Sequence, residues 1–343
     1  MRLAALLLIP LMSQAAEYTA EKAMVDGIAV VRLGHPAHAI EVGVVPSIGN
    51  MAYEFKVNGK NVLWWPYATL AEMRAKPQFG GIPFLAPWAN RLSEDAYYAN
   101  GQKFRLNPDL GNIHRDQNGK PIHGLLNYSP DWKVIDVEAD GSGAWVTSRL
   151  EFWKHPEMMA QFPFAHSIEM TYRLSADALE VRTVIKNLSA DPMPVGIGYH
   201  PYFQILDAPR DQWKVHLAAQ DHFVLSNLLI PTGVTKPLEF PGLFPLAGVS
   251  LDDVFSVQGH LESKMLPTFS VQGAQQKISV TYGAKYPIAV VYAPPGRSFI
   301  CFEPMSIITD AFNLAQAGLY KNLQSIPPDG EWRESFWITP SGF

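Results

Sequence analysis

HSIEMTYRLS (His166–Ser175) and, two residues later, ALEVRTVIKNLS (Ala178–Ser189) decide the fold class. Each alternates with period two, which is the pattern of a half-buried strand. In the second stretch Leu179, Val181, Thr183 and Ile185 face one way. Glu180, Arg182 and Lys186 face the other. The same alternation recurs in WVTSRLEF (Trp145–Phe152), KISVTYG (Lys277–Gly283) and IAVVYAP (Ile288–Pro294). Turn-forming clusters punctuate the chain at Val57–Asn61, Ala99–Lys103, Ala139–Gly143 and Leu188–Pro192. Many short strands with frequent turns predict an all-β sandwich or barrel.

Composition agrees. The 28 prolines in 343 residues exceed the usual ~5 % and interrupt helices throughout. Only short helices are expected, around Tyr67–Ala75 and Pro156–Gln161. Apolar residues are 48 % and charged residues 17 %, the balance of a packed chain and not a disordered one. Net charge is −5 with no basic run, so neither a nucleic acid nor an anionic membrane is the expected partner. No repeat or interdomain linker is visible, and residues 17–343 read as one large domain.

Residues 1–16 read as a signal peptide. Arg2 is followed by an apolar run from Leu3 to Met12, then by the small residues Ser13 and Ala15. Cleavage is expected near Ala15/Ala16, giving a periplasmic or secreted protein. The single cysteine, Cys301, makes no internal disulfide. Strand alternation puts it on the same face as Glu303, where a packed wall atom is the expected role.

Five stretches stand out from the apolar background. GGIPFLAPWANRL (Gly80–Leu92) presents Asn90 and Arg91 beside Trp88 on a proline-stiffened segment. Asn with Arg suits hydroxyl recognition, and also suits a surface arginine covering an indole. PIHGLLNY (Pro121–Tyr128) sets His123 before Gly124, which permits close backbone approach. VGIGYHPYFQIL (Val195–Leu206) carries His200, with Tyr202 expected on its face and Tyr199 and Phe203 on the other. His200 suits proton transfer, or simple packing among aromatics. SLDDVF (Ser250–Phe255) points Asp252 and Asp253 to opposite sides, without the loop pattern of a calcium site. FICFEPMSIITDAFN (Phe299–Asn313) places Glu303 at the end of an apolar strand, where a carboxylate is costly unless paired or used.

Taken in order, NRLSEDAYYANGQKFRLN, IHGLL, NLSADPMPVGIGYHPYF, LDDVF and CFEPMSIITDAFN resemble the aldose 1-epimerase (galactose mutarotase-like) family. The resemblance runs over nearly the whole chain after the leader. It implies a β-supersandwich of large antiparallel sheets with a cleft on one concave face. It implies Glu303 as general base and His200 as general acid, with His123, Arg91, Asn90 and Asp252 binding sugar. It calls for no metal and no cofactor; the partner is a free aldose, and the chain a monomer or homodimer. Trp88 and Tyr202 are candidates to stack on the sugar. The chemistry needs an ionised Glu303 and a charged His200, a window that unperturbed values near ~4.3 and ~6.5 provide. Alternatives are a non-catalytic carbohydrate-binding protein of the same fold or a hexose-6-phosphate mutarotase, which GGIP (Gly80–Pro83) resembles. A two-carboxylate glycosidase or lyase would pair Glu303 with Asp252.

Overall fold

Strands form where the alternation is strictest. His166–Ser175 pairs antiparallel with Ala178–Asn187, setting Leu174 opposite Leu179 and Ile168 opposite Ile185. The two residues between them, Ala176 and Asp177, both take left-handed backbone (φ 46 and 64), as a tight hairpin turn requires. Leu179, Val181, Thr183 and Ile185 are buried, while Arg182 and Lys186 are exposed. The computed structural model describes residues 17–257 and 266–343. The expected signal peptide therefore lies outside the described residues, and no described helix is long and apolar enough to cross a membrane.

That hairpin is the middle of a nine-stranded antiparallel sheet. Its order is Leu243–Pro245, Lys214–His216, Thr268–Gln272, Lys277–Tyr282, Glu331–Ser341, Ala178–Asn187, His166–Ser175, Gly143–Glu151, Lys133–Asp140. An eight-stranded sheet runs Pro231–Pro237, Ala219–Leu225, Leu251–Val257, Ile288–Ala293, Ile300–Met305, Gly198–Tyr199, Phe84–Leu85, with Tyr202–Phe203 also paired to Ile300–Met305. A five-stranded meander from Thr19 to Asn61 completes the supersandwich. The main core draws on all three sheets, with Val42 and Phe55, Tyr172 and Val181, Phe255 and Phe302 among its members. Apolar burial of this kind stabilises by ~25 cal/mol per Å².

The short helices lie where expected, at Leu70–Ala75 and Pro156–Met159. Thr69 caps the first by accepting from Glu72 N at 3.1 Å. A third, Ala311–Gln316, was not expected. It begins after Asp310, whose φ is 61 and whose side chain gives no N-cap bond, so the usual start signal is missing.

What positions the site is the eight-stranded sheet. One face joins the main core through Phe255, Val291 and Phe302. The other carries Val254, Val290 and Met305 in a second cluster, and Cys301 in a third with Tyr202 and Phe299.

Candidate active site

Glu303 comes from strand Ile300–Met305, directly opposite Val290 of the neighbouring strand. Asp252 lies on the next strand out, opposite Tyr292. Tyr292 and Tyr202 both pair with Cys301. Alternation thus puts Asp252, Tyr292, Cys301, Glu303 and Tyr202 on one face. Cys301 is fully buried against Tyr202 and Phe299, the wall atom expected of it, and burial pushes its thiol well above the ordinary range.

Two loops close over this face. Asn90 and Arg91 end the first, and His123 begins the turn of the second. They zip together: His123 N donates to Asn90 O at 2.9 Å, Leu92 N to Pro121 O at 2.9 Å, and Leu125 N to Ala86 O at 2.7 Å. Asn90 and His123 both take left-handed backbone, with φ of 58 and 63. Gly124 has φ 69, and a Cβ there would drive into the Ala86 carbonyl, so only glycine lets the loops meet. Asp310 fastens the first loop from behind. Its N–H donates to Arg91 O, and its carboxylate accepts from Ser93 N, both at 2.9 Å.

His200 enters on the segment after Gly198, where a Cβ would strike the Met305 sulfur. Its ring stacks on Tyr202 at 4.6 Å and 7°. Its Nε2 lies 3.3 Å from Glu303 Oε1, with both side chains under 10 % exposed. Tyr199 and Phe203, on the other face, sit in the main core as alternation predicts.

These parts line one cavity of about 290 Å³, which holds all six residues expected from the sequence: Glu303, His200, Arg91, Asn90, His123 and Asp252. Asn90 works partly through its neighbour, accepting at Oδ1 from Arg91 N (2.8 Å) and Nη1 (3.0 Å). Asp253, pointing away from Asp252, has its Oδ1 2.9 Å from His222 Nε2. Two expectations need correction. Trp88 is fully buried in the main core, where it neighbours Tyr97, and does not line the cavity. The protonation states of the unliganded pair are the reverse of those expected. Burial, then the charge of Asp252, pushes the Glu303 carboxyl well above its usual range against the pull of Arg91. Burial brings His200 down to about 3. Desolvation is the largest cause of both shifts and favours the neutral form of each, so at rest the pair is drawn toward two neutral groups that share one proton.

The sequence reading missed Asp116, Phe79 and Tyr292, which also line the cavity. Asp116 heads a turn, DQNGK, that reads as solvated surface. In the structure its side chain is 3 % exposed and takes Arg91 Nε at 2.7 Å. Phe79 packs near both His123 (5.3 Å) and His200 (5.4 Å). Glu303 Oε2, His200 Nδ1 and His123 Nδ1 are buried with no hydrogen-bond partner among the described residues. Buried polar atoms left open in this way are ready for a ligand's hydroxyls.

The arrangement can take a proton from one oxygen and give one to another on the same carbon. Comparison with known proteins bears on which carbon. The profile of the family described as Aldose 1-epimerase matches residues 30–339. The uncharacterized protein YihR of Escherichia coli K12 is 25 % identical over 236 residues, spanning 67 % of this chain and 70 % of that one. A galactose mutarotase-like protein from Clostridium acetobutylicum superposes with TM-score 0.84 at 19 % identity, covering 95 % of this chain and 99 % of that one. The galactose 1-epimerase of Lactobacillus acidophilus NCFM gives 0.73 at 13 %, covering 96 % and 100 %. At such identities the two solved structures speak for the fold alone.

Proposed function

Because the chain belongs to the aldose 1-epimerase family, we propose that it interconverts the α and β anomers of a free aldose. The observation that carries this reading is the 3.3 Å approach of His200 Nε2 to Glu303 Oε1 inside a sugar-sized cavity. Both groups can reach the two oxygens borne by one anomeric carbon.

The pair begins with one shared proton. Sugar hydroxyls, with Arg91, replace the solvation that burial removed, and the proton moves to His200, leaving a carboxylate. Glu303 then takes the proton of O1 while His200 gives its own to the ring oxygen. The C1–O5 bond breaks, the open aldehyde rotates about C1–C2, and closure reverses each transfer. Charge, protons and electrons balance with no cofactor. Each positioned acid or base contributes about 10²–10⁴-fold. His123, Asn90 and Asp252 hold the hydroxyls. Expected export would bring the protein to free sugars, which supports an unphosphorylated substrate.

Polarimetry or saturation-transfer NMR on a panel of free aldoses tests the reading. Faster relaxation of optical rotation is expected with at least one sugar. Binding without acceleration would leave a carbohydrate-binding protein instead. In the free enzyme kcat/KM is expected to fall in acid as His200 takes a second proton near its value of about 3, and to fall again as pH rises through the raised value of Glu303 and the last proton is lost.

A further inference from the structure

We infer that Asp116 sets the charge preference of the site: by engaging Arg91 it makes the cavity a receptor for uncharged sugars and turns anionic ones away. The inference rests on the sugar-binding reading of the cavity and extends it to substrate class.

Arg91 is the only lysine or arginine among the described residues that line the cavity. Its Nε is taken by Asp116 Oδ2 at 2.7 Å and its Nη1 by Asn90 Oδ1 at 3.0 Å. Nη2 makes no hydrogen bond to the described residues, which leaves one edge of the fork for a ligand. Asp116 is itself held firmly. Its Oδ1 accepts from the backbone N–H of Asn118 and Lys120, both at 2.9 Å. The same turn leads into Ile122, which bridges Arg91, so one short segment fixes both the carboxylate and the loop it braces. Burial favours the neutral acid, but the bonds from Arg91 and the two N–H groups hold the Asp116 carboxyl below the usual range.

The charges around the cavity then add up simply. Arg91 and Asp116 cancel. Glu303 and His200 share one proton, and burial keeps His123 neutral by pulling it well below its ordinary value. Asp252 remains, so the cavity has no net positive charge to offer a phosphate, sulfonate or carboxylate. In a partly desolvated site that deficit is felt strongly. An arginine without its carboxylate would instead be a ready anion site.

Asp116→Asn keeps the shape and an acceptor for the turn while removing the charge. Calorimetry with inorganic phosphate, which needs no turnover, is the first measurement. About 10-fold or greater tightening of phosphate is expected in Asp116→Asn relative to the native protein, lost again in the Asp116→Asn/Arg91→Gln double variant. Hexose KM rises by about 10-fold in Asp116→Asn with kcat within a few-fold, because the fork loses its aim and not its chemistry. Asp116→Glu keeps the rejection of phosphate. No gain in phosphate affinity, or a gain that survives the loss of Arg91, overturns the proposal. If Asp116→Asn does not fold, the native protein still decides. Phosphate binding that Arg91→Gln abolishes would contradict the inference, and its absence would support it. An intact charge switch in a protein that does not accelerate mutarotation would sink the catalytic reading alone.

Discussion

The outer face of the nine-stranded sheet and the site face of the eight-stranded sheet both carry charged side chains, and treat them in opposite ways. On the nine-stranded sheet they meet partners in water, across strands at Glu169 and Glu180 and along one strand at Glu331. Arg149 Nε donates to Glu169 at 2.9 Å, Arg333 Nη2 to Glu331 at 2.9 Å, and Ser335 Oγ to Glu180 at 2.6 Å. On the eight-stranded sheet Glu303 and Asp252 are withdrawn from water, and Glu303 Oε2 has no partner among the described residues. A solvated, paired charge costs little and contributes little. A desolvated carboxylate left open is costly, and a fold keeps it where chemistry uses it.

The contrast is broken most directly by exchanging the carboxylates for amides. Glu303→Gln is expected to lower kcat by about 10²–10⁴-fold. It does not lower thermal stability, since a neutral amide suits the desolvated site. The gain also has a sign with pH. The folded-state value of Glu303 is raised, so its contribution is present in acid and lost as pH rises through that value. The melting temperature of Glu303→Gln therefore gains on the native protein as pH increases. Glu169→Gln leaves turnover unchanged. If both substitutions cost the same activity, the distinction fails.

The buried histidines sharpen the comparison in the other direction. His166 stacks on Phe152 at 4.2 Å, its Nδ1 lies 2.7 Å from Phe164 O, and burial brings it down to about 4. Its folded value is depressed, so stability is full above the unfolded value near 6.5 and is lost as pH falls toward 4. A melt at pH 4.5 against one at pH 7.5 should show a loss on the order of 3 kcal/mol from this residue. His166→Phe removes this share while keeping activity, and the share from His123 and His200, which burial also depresses, remains. An acid loss as large in the variant as in the native protein would overturn the assignment to His166.

Gly124→Ala comes next. It forces a left-handed alanine against the Ala86 carbonyl, and a loss of about 1–3 kcal/mol is expected by denaturant titration. Activity falls with it, because the Arg91 and His123 loops separate. The smallest effect belongs to the outer sheet. Arg149→Ala changes stability by less than about 1 kcal/mol, less still in high salt.

How much of this could be read in the chain follows from the same physics. His166–Ser175 and Ile288–Ala293 were legible because one face is buried and the other meets water or a cavity. The stretches that carry the six cavity residues were legible because they break an apolar pattern at definite places, and the resemblance to the aldose 1-epimerase family then singled those residues out from packing and surface roles. Asp116 was not: an acidic residue heading an Asn-Gly turn looks solvated until the partner that buries it is known. Arg91 lies 25 positions away, and only the fold brings it there. The resting protonation of His200 and Glu303 was hidden for a related reason. Sequence reveals that two groups are complementary, but their desolvation depends on Tyr202, Phe79 and the strands behind them.

Cys301 makes the aromatic wall a clock. The sulfur lies behind Tyr202 and Phe299, two positions from Glu303 on the same strand. A neutral thiol reagent arrives only when that panel swings aside, so its labelling rate counts the fluctuations of the wall without any reference to turnover. A sugar seated against Tyr202 slows the count.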